Sequence, residues 1–133
     1  MQDVLYKTLV SGHNIGGVKQ KDEHAMCARC RLAGRRVEET LEHAYATCSA
    51  VAMLWAVVLR RWNAATGQAL DATDLRVTLL GDRGEQTHAL SEGLWRMVHA
   101  STVWAVHCAA KGAREHPAVL LSRRPLFRTV RFV

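Results

Sequence analysis

The pattern of apolar positions is clearest in the middle of the chain. Val51, Leu54, Trp55, Val58, Leu59 and Trp62 recur at i, i+3, i+4, i+7, i+8 and i+11. That spacing places them on one face of an α-helix. Ser49 stands where an N-cap belongs and Gly67 where a C-cap belongs. A second helix is expected over residues 85–111. Its stripe at about 100° per residue holds Leu90, Leu94, Met97, Val98, Trp104, Ala105 and Cys108. Trp95, Val103 and Val106 fall off that stripe. The C-terminal half of this helix is therefore apolar most of the way round. It is expected to be buried on two sides or to pack on something outside this chain. Gly112 is expected to end it.

Shorter elements flank these two. Asp3 suits the cap of a short helix over 4–10, and Gly12, Gly16 and Gly17 mark a loop over 12–20. Gly34 suits a turn, and a short element over 74–80 stops at Gly81. The last stretch, 113–133, carries five arginines against Glu115, a net of +4, mixed with Leu120, Leu121, Leu126, Phe127 and Phe132. A short strand pair, a frayed end or a segment of a larger body would each suit that composition.

The 133 residues suit one domain of modest core. The divisions expected within it are a metal module over 24–66, a helical part over 72–112 and a basic tail over 113–133. With 49% hydrophobic and 23% charged residues, the chain has the profile of a folded domain. The net charge of +6 favours polyanionic partners, either nucleic acid or an anionic surface. The start, Met1-Gln2-Asp3, lacks the basic and apolar regions of a secretory signal. The longest apolar run, 50–59, is ten residues, against the ~20 that a membrane span needs. An intracellular protein without a membrane role is the expectation. Reduced thiols in such a compartment point to metal rather than disulfides.

Cys27, Cys30, His43 and Cys48 form a C-x2-C-x12-H-x4-C series. Three thiolates, one imidazole and no carboxylate suit one tetrahedral structural Zn2+, with all four positions filled by protein. A tight knuckle or short β-hairpin is expected at the first pair, its backbone N–H groups aimed at the thiolates. Arg29, Arg31, Arg35 and Arg36 would lower the thiol pKa values and offset the net −1 of the loaded site. His24 is an alternative ligand, and Cys108 is expected in the core. His88, His99 and His107 are expected on a solvated face of the long helix. Catalytic zinc motifs such as H-E-x-x-H are missing, as are a Walker A loop, G-x-S-x-G and G-x-G-x-x-G.

Cys27-Ala-Arg-Cys30, Glu39-Thr-Leu-Glu-His43, Cys48 and then Trp55 resemble the zinc-binding region of non-LTR retrotransposon reverse transcriptases. That family shows a C-x2-C, about a dozen residues, E-T/S-x-x-H, H-x4-C and a later Trp. The specific likeness covers 27–62. Weaker likeness extends over 5–21 and over 94–111, with Trp95, Trp104 and Lys111. Ala28 and Arg29 stand where the family often has Pro, Ala44 where a bulky residue is common, and Lys111 where Arg is common. No polymerase A-D-D motif or endonuclease region is present. The resemblance implies a non-catalytic accessory part of an RNA-directed DNA polymerase, nuclear in location, that packs on the polymerase body and assists RNA or DNA binding. Phosphate contacts would come from Arg29, Arg31, Arg35, Arg36, Arg60 and Arg61, and from the arginines of the tail. Glu39 and Glu42 would sit in the first turn of the His-bearing helix, with Thr40 capping it. Trp55 and Trp62 would be core anchors. Another use of such a module is as a zinc-stapled interaction domain that docks on a protein or on its own copy. The fold class expected is mainly α.

Overall fold

The computed structural model describes residues 25–84 and 89–115. Helices account for most of them: α1 (Ala28–Leu32), a π-turn (His43–Thr47), α2 (Ser49–Thr66), α3 (Leu75–Leu80) and α4 (Ala89–Glu115). The π-turn is the hub, because α2, α3 and α4 all pack against it. None of the described helices is long and apolar enough to cross a membrane. The elements expected over 4–10 and 12–20, His24, His88 and residues 116–133 lie outside the described residues.

The amphipathic pattern of α2 translates directly into burial. Val51, Trp55, Leu59 and Trp62 are buried, and Leu54 and Val58 pack against them. Gly67 ends the helix at φ 73°, and its N–H bonds to the Asn63 carbonyl. The Asn63 side chain then clamps the following loop, donating to the Leu70 carbonyl at 2.9 Å and accepting from its N–H at 3.0 Å. Asp74 caps α3 by accepting from the Arg76 N–H at 2.9 Å. Gly81 closes α3 at φ 70°, and a Cβ there would meet the His99 ring at 3.2 Å. Both the backbone conformation and the close approach of α4 require glycine at this position.

Three local expectations need correction. Ser49 does not cap α2 but is its first helical residue, and its hydroxyl accepts from Arg35 at 2.5 Å. Cys48 holds the cap position instead. No hairpin forms at the first cysteine pair. The chain there makes the helical turn α1, and among the described residues its flanks meet at an isolated antiparallel bridge between Met26 and Glu38. Gly112 does not end α4, which continues through Ala113, Arg114 and Glu115, so these three belong to the helical body and not to the tail.

The buried face of α4 is mostly not the expected one, and of the described side chains in the expected stripe Val98 alone packs against the core. Trp95, His99, Thr102, Val103, Val106, Ala110 and Ala113 face the core. Leu94, Met97 and Trp104 are 55%, 56% and 56% exposed. Ala105 and Cys108 are exposed as well. Polar partners decide the orientation. His99 Nε2 donates to the Thr78 carbonyl at 2.8 Å, and the Thr102 hydroxyl donates to the Val98 carbonyl at 2.8 Å. Their hydrogen bonds let these two polar residues be buried at little cost. Trp95 donates from Nε1 to the Gly81 carbonyl at 2.7 Å, and its ring packs against Trp62 in a tilted arrangement, 5.1 Å between centroids. The Arg83 guanidinium lies over the Trp62 and Trp95 rings at 5.3 and 5.9 Å and pairs with Glu92 at 2.7 Å.

Candidate metal centre

Cys27, Cys30, His43 and Cys48 converge so that their ligand atoms all lie within 4.8 Å of one another. The Cys30 and Cys48 Sγ atoms are 3.8 Å apart, and Cys30 Sγ is 3.4 Å from His43 Nε2. A tetrahedral ion with bonds of ~2.3 Å to sulfur and ~2.0 Å to nitrogen requires ligand atoms ~3.8 Å (S···S) and ~3.5 Å (S···N) apart. The spacing therefore fits one tetrahedral metal ion and is far too long for a disulfide, whose sulfurs lie ~2.05 Å apart. All three cysteines are buried and His43 is half-buried, so the four donors face inward together.

Each ligand is placed by a local device. The Cys27 carbonyl accepts from the Arg31 N–H at 2.9 Å, which winds the C-x2-C segment into α1. Cys27 is tied at its own N–H to the Val37 carbonyl at 2.8 Å. Thr40 caps the His-bearing turn, its hydroxyl accepting from the His43 N–H at 3.0 Å. The π-turn then reconciles His43 with Cys48. In a regular α-helix residues five apart point about 140° away from each other around the axis. Here the Cys48 N–H bonds to the His43 carbonyl at 2.9 Å, an i to i+5 closure that widens the turn. Trp55, wholly buried on α2, locks this arrangement by donating to the Tyr45 carbonyl at 2.8 Å.

The three thiols are electrostatically unequal. Cys48 is lowered to about 6, first because the Cys27 thiol donates to it, and further by the charge of Arg29 and the Ala50 N–H at the start of α2. Cys27 is correspondingly raised to about 12, by that same hydrogen bond and by burial. Burial also raises Cys30, against the opposing pull of Arg35. Cys48 is thus the natural first thiolate, and a bound cation would take the place of the protons on the other two.

The arginines separate into groups. Arg29 is turned inward: it donates to the Ala44 carbonyl at 2.6 Å, its Nε is buried, and its charge acts on Cys48. Its guanidinium is thus engaged with the interior of the module, and its charge lies beside the cluster. Arg31, Arg35 and Arg36 are exposed and line one cleft with Met26 and Gly34. Arg60 and Arg61 are exposed on α2, eleven and twelve residues beyond Ser49, which is ~16 Å or more along the helix axis.

Other expectations shift. Cys108 is exposed, not in the core. His99 is buried, and His107 is half-buried with Nδ1 3.1 Å from the Tyr45 hydroxyl, so neither sits on a solvated face. Glu39 precedes the His-bearing turn and points inward, only 1% exposed, where it pairs with Arg114. Glu42 stays exposed. The Glu39–Arg114 and Tyr45–His107 pairs join the cluster to the end of α4, and sequence spacing carries no signal for partners 75 and 62 positions apart. No family model, curated protein or solved structure matches the chain.

Proposed function

We propose that this chain is a zinc-stapled, non-catalytic module that binds nucleic acid through phosphate contacts. We propose further that it serves as an accessory part of a reverse transcriptase of the non-LTR retrotransposon type. Zinc is the ion that three thiolates and one imidazole in a closed tetrahedron suit best. With four protein ligands the ion is structural, leaving no position for a reactive water. The grouping of Arg31, Arg35 and Arg36 on the outer side of the metal module carries the nucleic-acid reading. Among the described residues no carboxylate lines that cleft. Phosphate contacts of this kind set affinity rather than sequence preference. The order of the ligands, with Thr40 capping the His turn and Trp55 anchoring α2, supports the reverse transcriptase assignment.

The test is a salt titration of RNA and DNA binding by fluorescence anisotropy on the metal-loaded chain. Binding should weaken steadily with salt, and replacing Arg31, Arg35 and Arg36 by Ala should reduce it more than replacing Arg60 and Arg61. An absence of salt-dependent binding at low salt would overturn the proposal.

A second reading rests on a different observation. Leu94, Met97 and Trp104 present an exposed apolar strip on α4, of the kind that marks a protein contact. On this reading the module packs on a polymerase body or on its own copy. Light scattering separates the two: a monomer with strong nucleic-acid binding contradicts self-association.

A further inference from the structure

The cleft at the metal module has a floor as well as a charged rim. It measures about 270 Å³ and is lined by Met26, Arg31, Gly34, Arg35 and Arg36. Among the described residues, nothing lies within 4 Å of where a Cβ on Gly34, at φ 75°, would stand. Met26, half-buried, lines the cleft with its side chain's apolar surface, and its backbone is held by the bridge to Glu38. The backbone behind the cleft is pinned by Gly34 N–H to the Arg31 carbonyl at 3.0 Å and Arg35 N–H to the Cys30 carbonyl at 2.8 Å. The site is thus rigidly attached to a metal ligand. Arg35 is also tethered to Ser49 at the start of α2.

A surface that only tracked phosphates would need no apolar recess. Guanidinium planes and a thioether are surfaces on which a flat aromatic group stacks. The volume is below the roughly 300–1,000 Å³ of a pocket that encloses a drug-sized ligand. It suits one base. We infer that the cleft takes a single unstacked nucleotide of a single strand, its base against Met26 and the arginine planes and its flanking phosphates on Arg31 and Arg36. A duplex keeps its bases inside and cannot fill the recess. Unstacked bases held on side-chain planes are the usual mode of single-strand recognition. The inference rests on the nucleic-acid reading above and adds the strandedness and the seat of one base.

The experiment uses the zinc-loaded full chain and three fluorescein-labelled 12-mers of equal charge per strand: a single strand, the same length with abasic residues, and a duplex. The single strand should bind at least tenfold more tightly than either of the others at low salt. Met26→Ser should weaken single-strand binding severalfold while leaving the salt slope and the abasic strand's affinity unchanged, with zinc content as the check on folding. Replacing Arg31 and Arg36 by Ala should weaken all three probes and flatten the single-strand salt slope by about 1.4, at ~0.7 per phosphate. Equal binding of the base-bearing and abasic strands, or of single strand and duplex, would overturn the nucleotide seat and leave phosphate binding standing. No binding of any probe would overturn the nucleic-acid reading and this inference with it.

Discussion

The two ends of the core are held by different chemistry. At one end Trp62, Trp95, Leu59, Val77 and His99 fill space with large side chains. Burying that much apolar and aromatic surface stabilises the packing of α2, α3 and α4 without further help. At the other end residues 25–48 bring Cys27, Cys30, Cys48, Ala28, Ala44 and Ala46 to the interior, together with the larger Tyr45 and Glu39. Most of these are small groups, and three of the buried atoms are thiol sulfurs that desolvation and mutual contact disturb. Hydrophobic burial therefore contributes more at the tryptophan end than at the cysteine end. On the proposed function, a cation that replaces the thiol protons would supply what the small side chains do not.

Metal removal should break the comparison most visibly. Chelation should abolish hydrogen-exchange protection over 25–48 and lower the melting temperature by roughly 15 °C or more, since metal binding free energy is folding free energy and each kcal/mol shifts Tm by about 4–8 °C. Protection around Trp62 and Trp95 should persist. Simultaneous loss at both ends would show that one cooperative unit, not two kinds of end, is present. Trp95→Ala acts at the opposite end. It should cost about 3–5 kcal/mol in chemical unfolding and still leave the metal bound.

The seam between the ends should respond less. Glu39 is buried and Arg114 a quarter exposed. Breaking a fully buried pair costs ~3–5 kcal/mol, so Glu39→Gln, with one partner reaching solvent, should cost about 1–3 kcal/mol by denaturant titration. An effect below ~0.5 kcal/mol, the size of an ordinary surface change, would mean the pair does not join the ends.

His99 adds a pH dependence to the tryptophan end. Burial lowers its pKa, partly opposed by its bond to the Thr78 carbonyl. The unfolded chain, with a His pKa near ~6.5, therefore binds the proton more readily than the fold. Stability should be level above that value, fall as pH drops through it, and level off below the depressed folded pKa. Comparing the pH slopes of the parent and His99→Gln isolates this part from the protonation of the metal ligands. Equal slopes would contradict it. The smallest effect is expected at Trp104, on the outer face of α4. Trp104→Ser should change stability by no more than ~0.5 kcal/mol, whereas a large loss would return that face to the core.

The ligand set and α2 were both legible because each is written in local spacing. The run Val51 to Trp62 has one apolar side only, and C-x2-C with H-x4-C names its four donors. Helix α4 misled because both of its sides carry large apolar residues. Apolar spacing selected Leu94, Met97 and Trp104, but the folded chain buries His99 and Thr102, which found carbonyl partners at Thr78 and Val98. Chemical type is visible in a sequence, while a hydrogen-bond partner 21 positions away is not. The π-turn was hidden for a related reason. Its i to i+5 bond follows from the need to face His43 and Cys48 toward one point, and no residue between them, in His-Ala-Tyr-Ala-Thr, announces it. Arg29 shows the same limit: among neighbouring arginines, only the fold distinguishes the one that serves the cluster from those that face outward.

The most direct test of the account is metal stoichiometry by native mass spectrometry on the reduced chain and on single Cys27→Ser, Cys48→Ser and Cys108→Ser variants. The account predicts one zinc per chain, lost with either of the first two substitutions and retained with the third. No bound zinc, or zinc that survives the loss of Cys48, would contradict it.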